Sequence, residues 1–99
     1  MSLSKPVWFQ IESHYHANKI TELPGNDFID LLEEISKKEK LNCSPSSLAL
    51  YTKKKTDSQL ITLDNTIFKD CQKNFTKLTE IYEIDEDNPI RVRLPGMYL

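Results

Sequence analysis

His14 and His16 flank Tyr15 near the N-terminus. In an extended turn, residues i and i+2 can point the same way, so the two imidazoles could offer a pair of metal-ligating nitrogens, with Glu12 close enough in sequence to add an oxygen. Two histidines at a polar loop tip are equally what a solvated turn carries. The two cysteines, Cys43 and Cys71, form no C-x-x-C pair and are too few for a zinc site of their own. They read as reduced thiols. Nucleophilic catalysis needs a thiol and a base held together in a cleft, and no spacing here supplies that pairing. The chain therefore reads as a non-enzyme, with no metal and no cofactor expected.

Two charged runs have their own chemistry. Lys53-Lys54-Lys55 could contact phosphate or an anionic surface, and it could equally be a solvated turn that blunts a sheet edge. Glu83, Asp85, Glu86 and Asp87 form an acidic loop able to face a basic partner or plain solvent. The formal net charge of −2 argues against a general nucleic-acid binder, which would be basic. No stretch approaches the roughly 18 apolar residues of a membrane span. Residues 1–6 are polar and lack the apolar core of a signal peptide.

The elements that would position these groups follow from hydrophobic periodicity. With 38% hydrophobic and 28% charged residues, the 99-residue chain has the balance of one globular domain, with a core over about residues 6–95. Val7 to Glu12 alternates as a strand, with Val7, Phe9 and Ile11 on one face and Trp8, Gln10 and Glu12 on the other. Ser13 to Ala17 turns, and Lys19 to Leu23 returns as a second strand. Asn26 or Asp27 can cap a helix over 27–39, in which Phe28, Leu31, Leu32 and Ile35 make one apolar stripe. Lys37, Lys38 and Lys40 suit the negative end of its dipole. Leu48 to Tyr51 and Leu60 to Leu63 are short strands. Ile67 to Gln72 holds a short helical piece, and Leu78 to Tyr82 has the spacing of about one helical turn. Ile90 to Leu94 alternates as the last strand.

This order is β-β-α-β-β-(short helix)-β, an α+β fold in which one main helix lies across a mixed sheet. It is the β-grasp arrangement, in which the first and last strands could pair side by side and parallel in the middle. Phe9, Ile11, Ile20, Leu48, Leu50, Ile90 and Val92 would face the helix. Trp8, Gln10, Ala49, Tyr51, Arg91 and Arg93 would face away. Trp, Tyr and Arg combine contact area with polar reach and are enriched at binding hot spots. Trp8, Tyr51, Arg91 and Arg93 are accordingly the candidate contacts for a protein partner, and the same face could pair two copies of the chain.

In its order of elements the chain resembles ubiquitin, and the resemblance implies a ubiquitin-like β-grasp. More specifically it resembles the N-terminal header domain of Crinkler effectors, whose hallmark is Leu-x-Leu-Phe-Leu-Ala-Lys after the helix. Here Leu48-Ala49-Leu50-Tyr51-Thr52-Lys53-Lys54 stands in that place. Leu48, Leu50 and Lys54 match, Tyr51 is a conservative change, and Thr52 and Lys53 depart from the pattern. The resemblance implies a secreted, non-catalytic module acting in the host cell, in delivery (translocation) or protein recognition. It also implies a longer native chain with a C-terminal effector domain. A ubiquitin-type conjugated modifier is not expected, because the ending Pro95-Gly96-Met97-Tyr98-Leu99 lacks a diglycine. The alternative is an intracellular adaptor of the PB1 or Ras-association type, working through Glu83 to Asp87 or an exposed strand edge.

Overall fold

Strand alternation and one amphipathic helix organise the protein. The structure is a computed structural model that describes residues 2–96. Residues 97–99, part of the ending read above for a diglycine, lie outside the described residues.

Strand β1 (Ser2–Ile11) pairs antiparallel with β2 (Asn18–Glu22) and parallel with β5 (Ile90–Arg93). β5 is flanked on its other side by β3 (Ala49–Thr52), which pairs with β4 (Ile61–Leu63). Among the described residues the sheet has five strands in the order β2-β1-β5-β3-β4. This is a β-grasp arrangement, with the first and last strands adjacent and parallel, the pairing that the order of elements allowed.

β1 starts at Ser2, five residues before the expected Val7. The register with β2 breaks between Ser2 and Val7. Pro6 lies in that break, where the missing ladder donor costs least. The alternating pattern holds only from Val7 onward, which is why the sequence marks only the second half of the strand.

Helix α1 (Phe28–Lys38) buries Leu31, Leu32 and Ile35 against the sheet, while Phe28 is only half-buried. Asp27 is the N-cap residue, and its backbone N–H donates to the Asp30 carboxylate at 3.0 Å. A Cβ on Gly25 would meet the end of that carboxylate, so the glycine lets the Asp30 side chain fold back over the turn without being displaced. At the other end, the N–H of Leu41 donates to Ser36 O (3.0 Å) and that of Lys40 to Lys37 O (3.3 Å), with Lys40 at φ 52°. This is a Schellman ending with a lysine where glycine is favoured.

Two further helices follow β4, α2 (Asn65–Asp70) and α3 (Phe75–Ile81). Asp64 caps α2 by accepting from the Ile67 N–H. Asn74 caps α3 by accepting from the N–H groups of Thr76 and Lys77. Each helix is too short to be stable alone, so tertiary packing must hold it. An aromatic chain does so: the Phe68 ring sits 6.0 Å from Phe28 and 4.7 Å from Phe75, both tilted. Phe68 and Leu78 are fully buried, and Tyr82 and Ile84 nearly so. The core therefore extends beyond one helix on one sheet.

A lysine in the left-handed region carries a steric cost that glycine lacks. Lys40→Gly is expected to raise the unfolding free energy by up to about 1 kcal/mol. The check is a higher urea midpoint with an unchanged denaturant slope.

Candidate functional site

The face of the sheet turned away from the helices is set by register. Trp8 lies opposite Lys19, Gln10 opposite Arg91, Tyr51 opposite both Arg91 and Thr62, and Ala49 opposite Arg93. All are on the same side, because paired residues point the same way and neighbours in a strand alternate. Val7, Phe9, Ile11, Leu50, Ile90 and Val92 are correspondingly buried on the other side.

Two aromatic rings on this outer face carry a cation. Lys19 Nζ stands 5.4 Å from the Trp8 ring centroid, and the Arg93 guanidinium 5.2 Å from that of Tyr51. Arg93 also donates to Glu12 through two nitrogens, Nε at 3.1 Å and Nη2 at 3.2 Å. Glu12, Arg93 and Tyr51 thus form a chain across β1, β5 and β3. Both charges of the pair are partly exposed, so it holds geometry more than it adds stability, on the order of 1 kcal/mol or less.

A trough of about 460 Å³ opens on this face, lined by Gln10, Glu12, Leu60, Asp87, Pro89, Arg91 and Arg93. Leu60 is 39% exposed and forms one apolar wall. A smaller hollow continues it toward Lys53 and Glu83.

The structure brings Tyr51, Arg91 and Arg93 together. Trp8 lies on the same face, one strand over and toward the β2 edge, outside the trough. Leu48 and Leu50, the leading residues of the Leu48–Lys54 segment, are core residues at 7% and 1% exposure. Tyr51 is half-buried and Lys54 is exposed. Lys54 is tied by a backbone bridge to Tyr82, and the N–H of Lys55 donates to Ile81 O. Lys53 pairs with Glu83 at 3.7 Å. The lysine run is thus anchored to the end of α3, and Lys53 borders the trough's continuation. In the acidic loop, Asp85 accepts from the N–H groups of Asp87 and Asn88 and so closes its own turn.

Lys19, Leu60 and Pro89 are not marked as site residues by sequence pattern. Glu12 is placed on this face by the alternation of Trp8 and Gln10 but reads from the sequence only as a metal ligand, and Asp87 only as part of the acidic loop. Leu60 and Asp87 come from separate loops, and their convergence is a tertiary fact.

The histidines sit elsewhere, on the β1–β2 turn. His14 Nδ1 lies 3.3 Å from Glu39, His16 is exposed, and Glu12 is engaged by Arg93. Among the described residues no group of three or more His, Cys, Asp or Glu side chains could hold a metal ion. Among the described residues no helix is long and apolar enough to cross a membrane.

Both cysteines are free, Cys43 half-buried and Cys71 buried. Burial pushes the Cys71 thiol up, Asp70 adds to the shift, and Lys77 opposes it. Burial likewise raises the Tyr82 phenol, with Cys71, Asp70 and Asp64 adding to it.

Fold and site together define a β-grasp domain with an exposed, aromatic and charged sheet face. Residues 5–95 match the family described as Domain of unknown function (DUF8732), and the chain belongs to that family. Comparison with curated proteins and with solved structures finds no match.

The buried Cys71 and Tyr82 set a pH dependence. Both folded-state values are raised, so the fold favours the protonated forms. That contribution is fully present below the unfolded values, about 8.5 for Cys and 10 for Tyr, and is lost as pH climbs through the raised ones. Urea midpoints should therefore fall in the alkaline range, and less so in Cys71→Ala. In the native state a thiol reagent should label Cys43 first, with Cys71 reacting only as the protein opens.

Proposed function

We propose that this domain is a non-catalytic recognition module that docks a protein through its outer sheet face, with Trp8, Tyr51, Arg91 and Arg93 as the main contacts. The observation that supports this most is the fixed placement of Tyr51 and Arg93. The Glu12 carboxylate holds the guanidinium over the phenol ring, so two hot-spot side chains are ordered before any partner arrives. Ordering in advance lowers the entropic cost of binding. The partner is a protein rather than a nucleic acid, because Glu12 and Asp87 line the trough with Arg91 and Arg93, Glu83 borders its continuation, and these carboxylates would repel a phosphate chain.

The order of strands and the Leu48–Lys54 segment support a Crinkler-type header as the setting of this module. Delivery into a host cell enters through that resemblance. Leu48 and Leu50 are in the core, so Tyr51 and Lys54 are the members of the segment that a transport partner could touch. The outer face is favoured over the acidic loop as the docking surface, because Asp85 is engaged in its own turn and Glu83 pairs with Lys53.

Wild-type protein should capture a discrete partner from host-cell lysate, identifiable by mass spectrometry. The Trp8→Ala, Arg91→Ala, Arg93→Ala triple variant, shown to be folded by circular dichroism, should lose it by at least about tenfold. Equal capture by both proteins would refute the proposal.

A further inference from the structure

The trough on the outer face holds a cation that forms no ion pair among the described residues. Arg91 stands on β5, the middle strand of the sheet, and its cross-strand neighbours Gln10 and Tyr51 are uncharged. The other cations bordering the trough and its continuation are matched. Arg93 is forked onto Glu12, and Lys53 lies 3.7 Å from Glu83. Among the described residues Arg91 makes no ion pair and no hydrogen bond through its side chain. Its guanidinium is exposed beside two apolar groups, Leu60 and Pro89. An arginine fork matches a carboxylate through two parallel N–H donors, a geometry that an ammonium does not supply. The trough's volume lies in the range that takes a small ligand or a few side chains rather than a folded domain.

Resting on the protein-docking reading above, we propose that the trough takes an extended segment of the partner in which a carboxylate side chain stands next to an aliphatic one. The carboxylate seats on the Arg91 guanidinium, and the aliphatic group packs against Leu60 and Pro89. Charge complementarity selects this occupant. Among the described residues Arg91 is the one cation of the trough without an ion pair, and a single carboxylate satisfies it. A polyanion would have to place further charges against Glu12 and Asp87. A purely apolar segment would cover Arg91 without a partner, which is costly.

The test is a titration of the isotope-labelled full chain followed by NMR. The probes are an acetylated, amidated hexapeptide Ser-Asp-Leu-Asp-Leu-Ser, its counterpart with both Asp replaced by Asn, and a short oligothymidylate. The acidic peptide should shift the Arg91 side-chain and Leu60 methyl resonances. Its affinity should fall about tenfold or more with the Asn peptide and with Arg91→Gln, and should weaken as salt rises. Arg91→Lys, which keeps the charge and loses the fork, should fall in between. Equal binding of the Asp and Asn peptides on the outer face would overturn the carboxylate site while leaving the face as a docking surface. Shifts confined to another surface, no binding of the acidic peptide, or preference for the oligothymidylate would each overturn it, and lysate capture by the triple variant would still judge the docking reading separately.

Discussion

The parallel pairing of β1 with β5 is the constraint on which the rest depends. It joins the two ends of the chain in the middle of the sheet, with Phe9 beside Ile90 and Ile11 beside Val92. The Glu12 N–H extends the contact by donating to Val92 O at 2.9 Å. Closing so long a loop costs entropy before any contact compensates for it. What compensates is burial: Phe9, Ile11, Ile90 and Val92 are all fully inaccessible. The register is sharply specified. A slip of one residue on β5 would carry Arg91 and Arg93 into the core and expel Ile90 and Val92, exchanging buried hydrocarbon for unpaired charge.

The same alternation makes the outer face. With Ile90 and Val92 fixed inward, Arg91 and Arg93 must project outward, between Gln10 and Glu12 on one side and Tyr51 and Ala49 on the other. The two arginines then differ by their neighbours. Arg93 meets Glu12 and Tyr51 and is held, while Arg91 meets Gln10 and Tyr51 and is left with its donors toward solvent. A sheet that must be this regular on its inner side thus presents a rigid arrangement of side chains on its outer side. Short elements elsewhere serve that rigidity: α2 and α3 close over the core through Phe28, Phe68 and Phe75, and the Asp64 and Asn74 caps start them.

Much of this was legible from the chain itself. The stripe Phe28, Leu31, Leu32 and Ile35 marked α1, and clean alternation at Val7 to Glu12 and Ile90 to Leu94 marked the central strands and sorted inward from outward residues. Long regular segments repeat their period often enough to be read. The early part of β1 was not legible, because Pro6 interrupts both alternation and ladder. The helices α2 and α3 were seen only as fragments of helical spacing. At six and seven residues they show less than two periods, and their stability lies in an aromatic contact between segments far apart in sequence. The ending of α1 was legible through Lys37, Lys38 and Lys40, although Lys40 itself adopts a conformation that usually announces itself through glycine. The trough was invisible for another reason: Gln10, Leu60 and Arg91 converge only when three separate segments are folded together.

The most direct test of the central pairing is native-state hydrogen exchange across the sheet. If β1 and β5 form the structural centre, their amides at Ile11 and Val92 should exchange only through global unfolding, with the full denaturant dependence of the unfolding transition. Amides of the edge strands β2 and β4 should exchange earlier, through local opening. Exchange of the β5 amides at lower free energy than those of the edge strands would contradict the account.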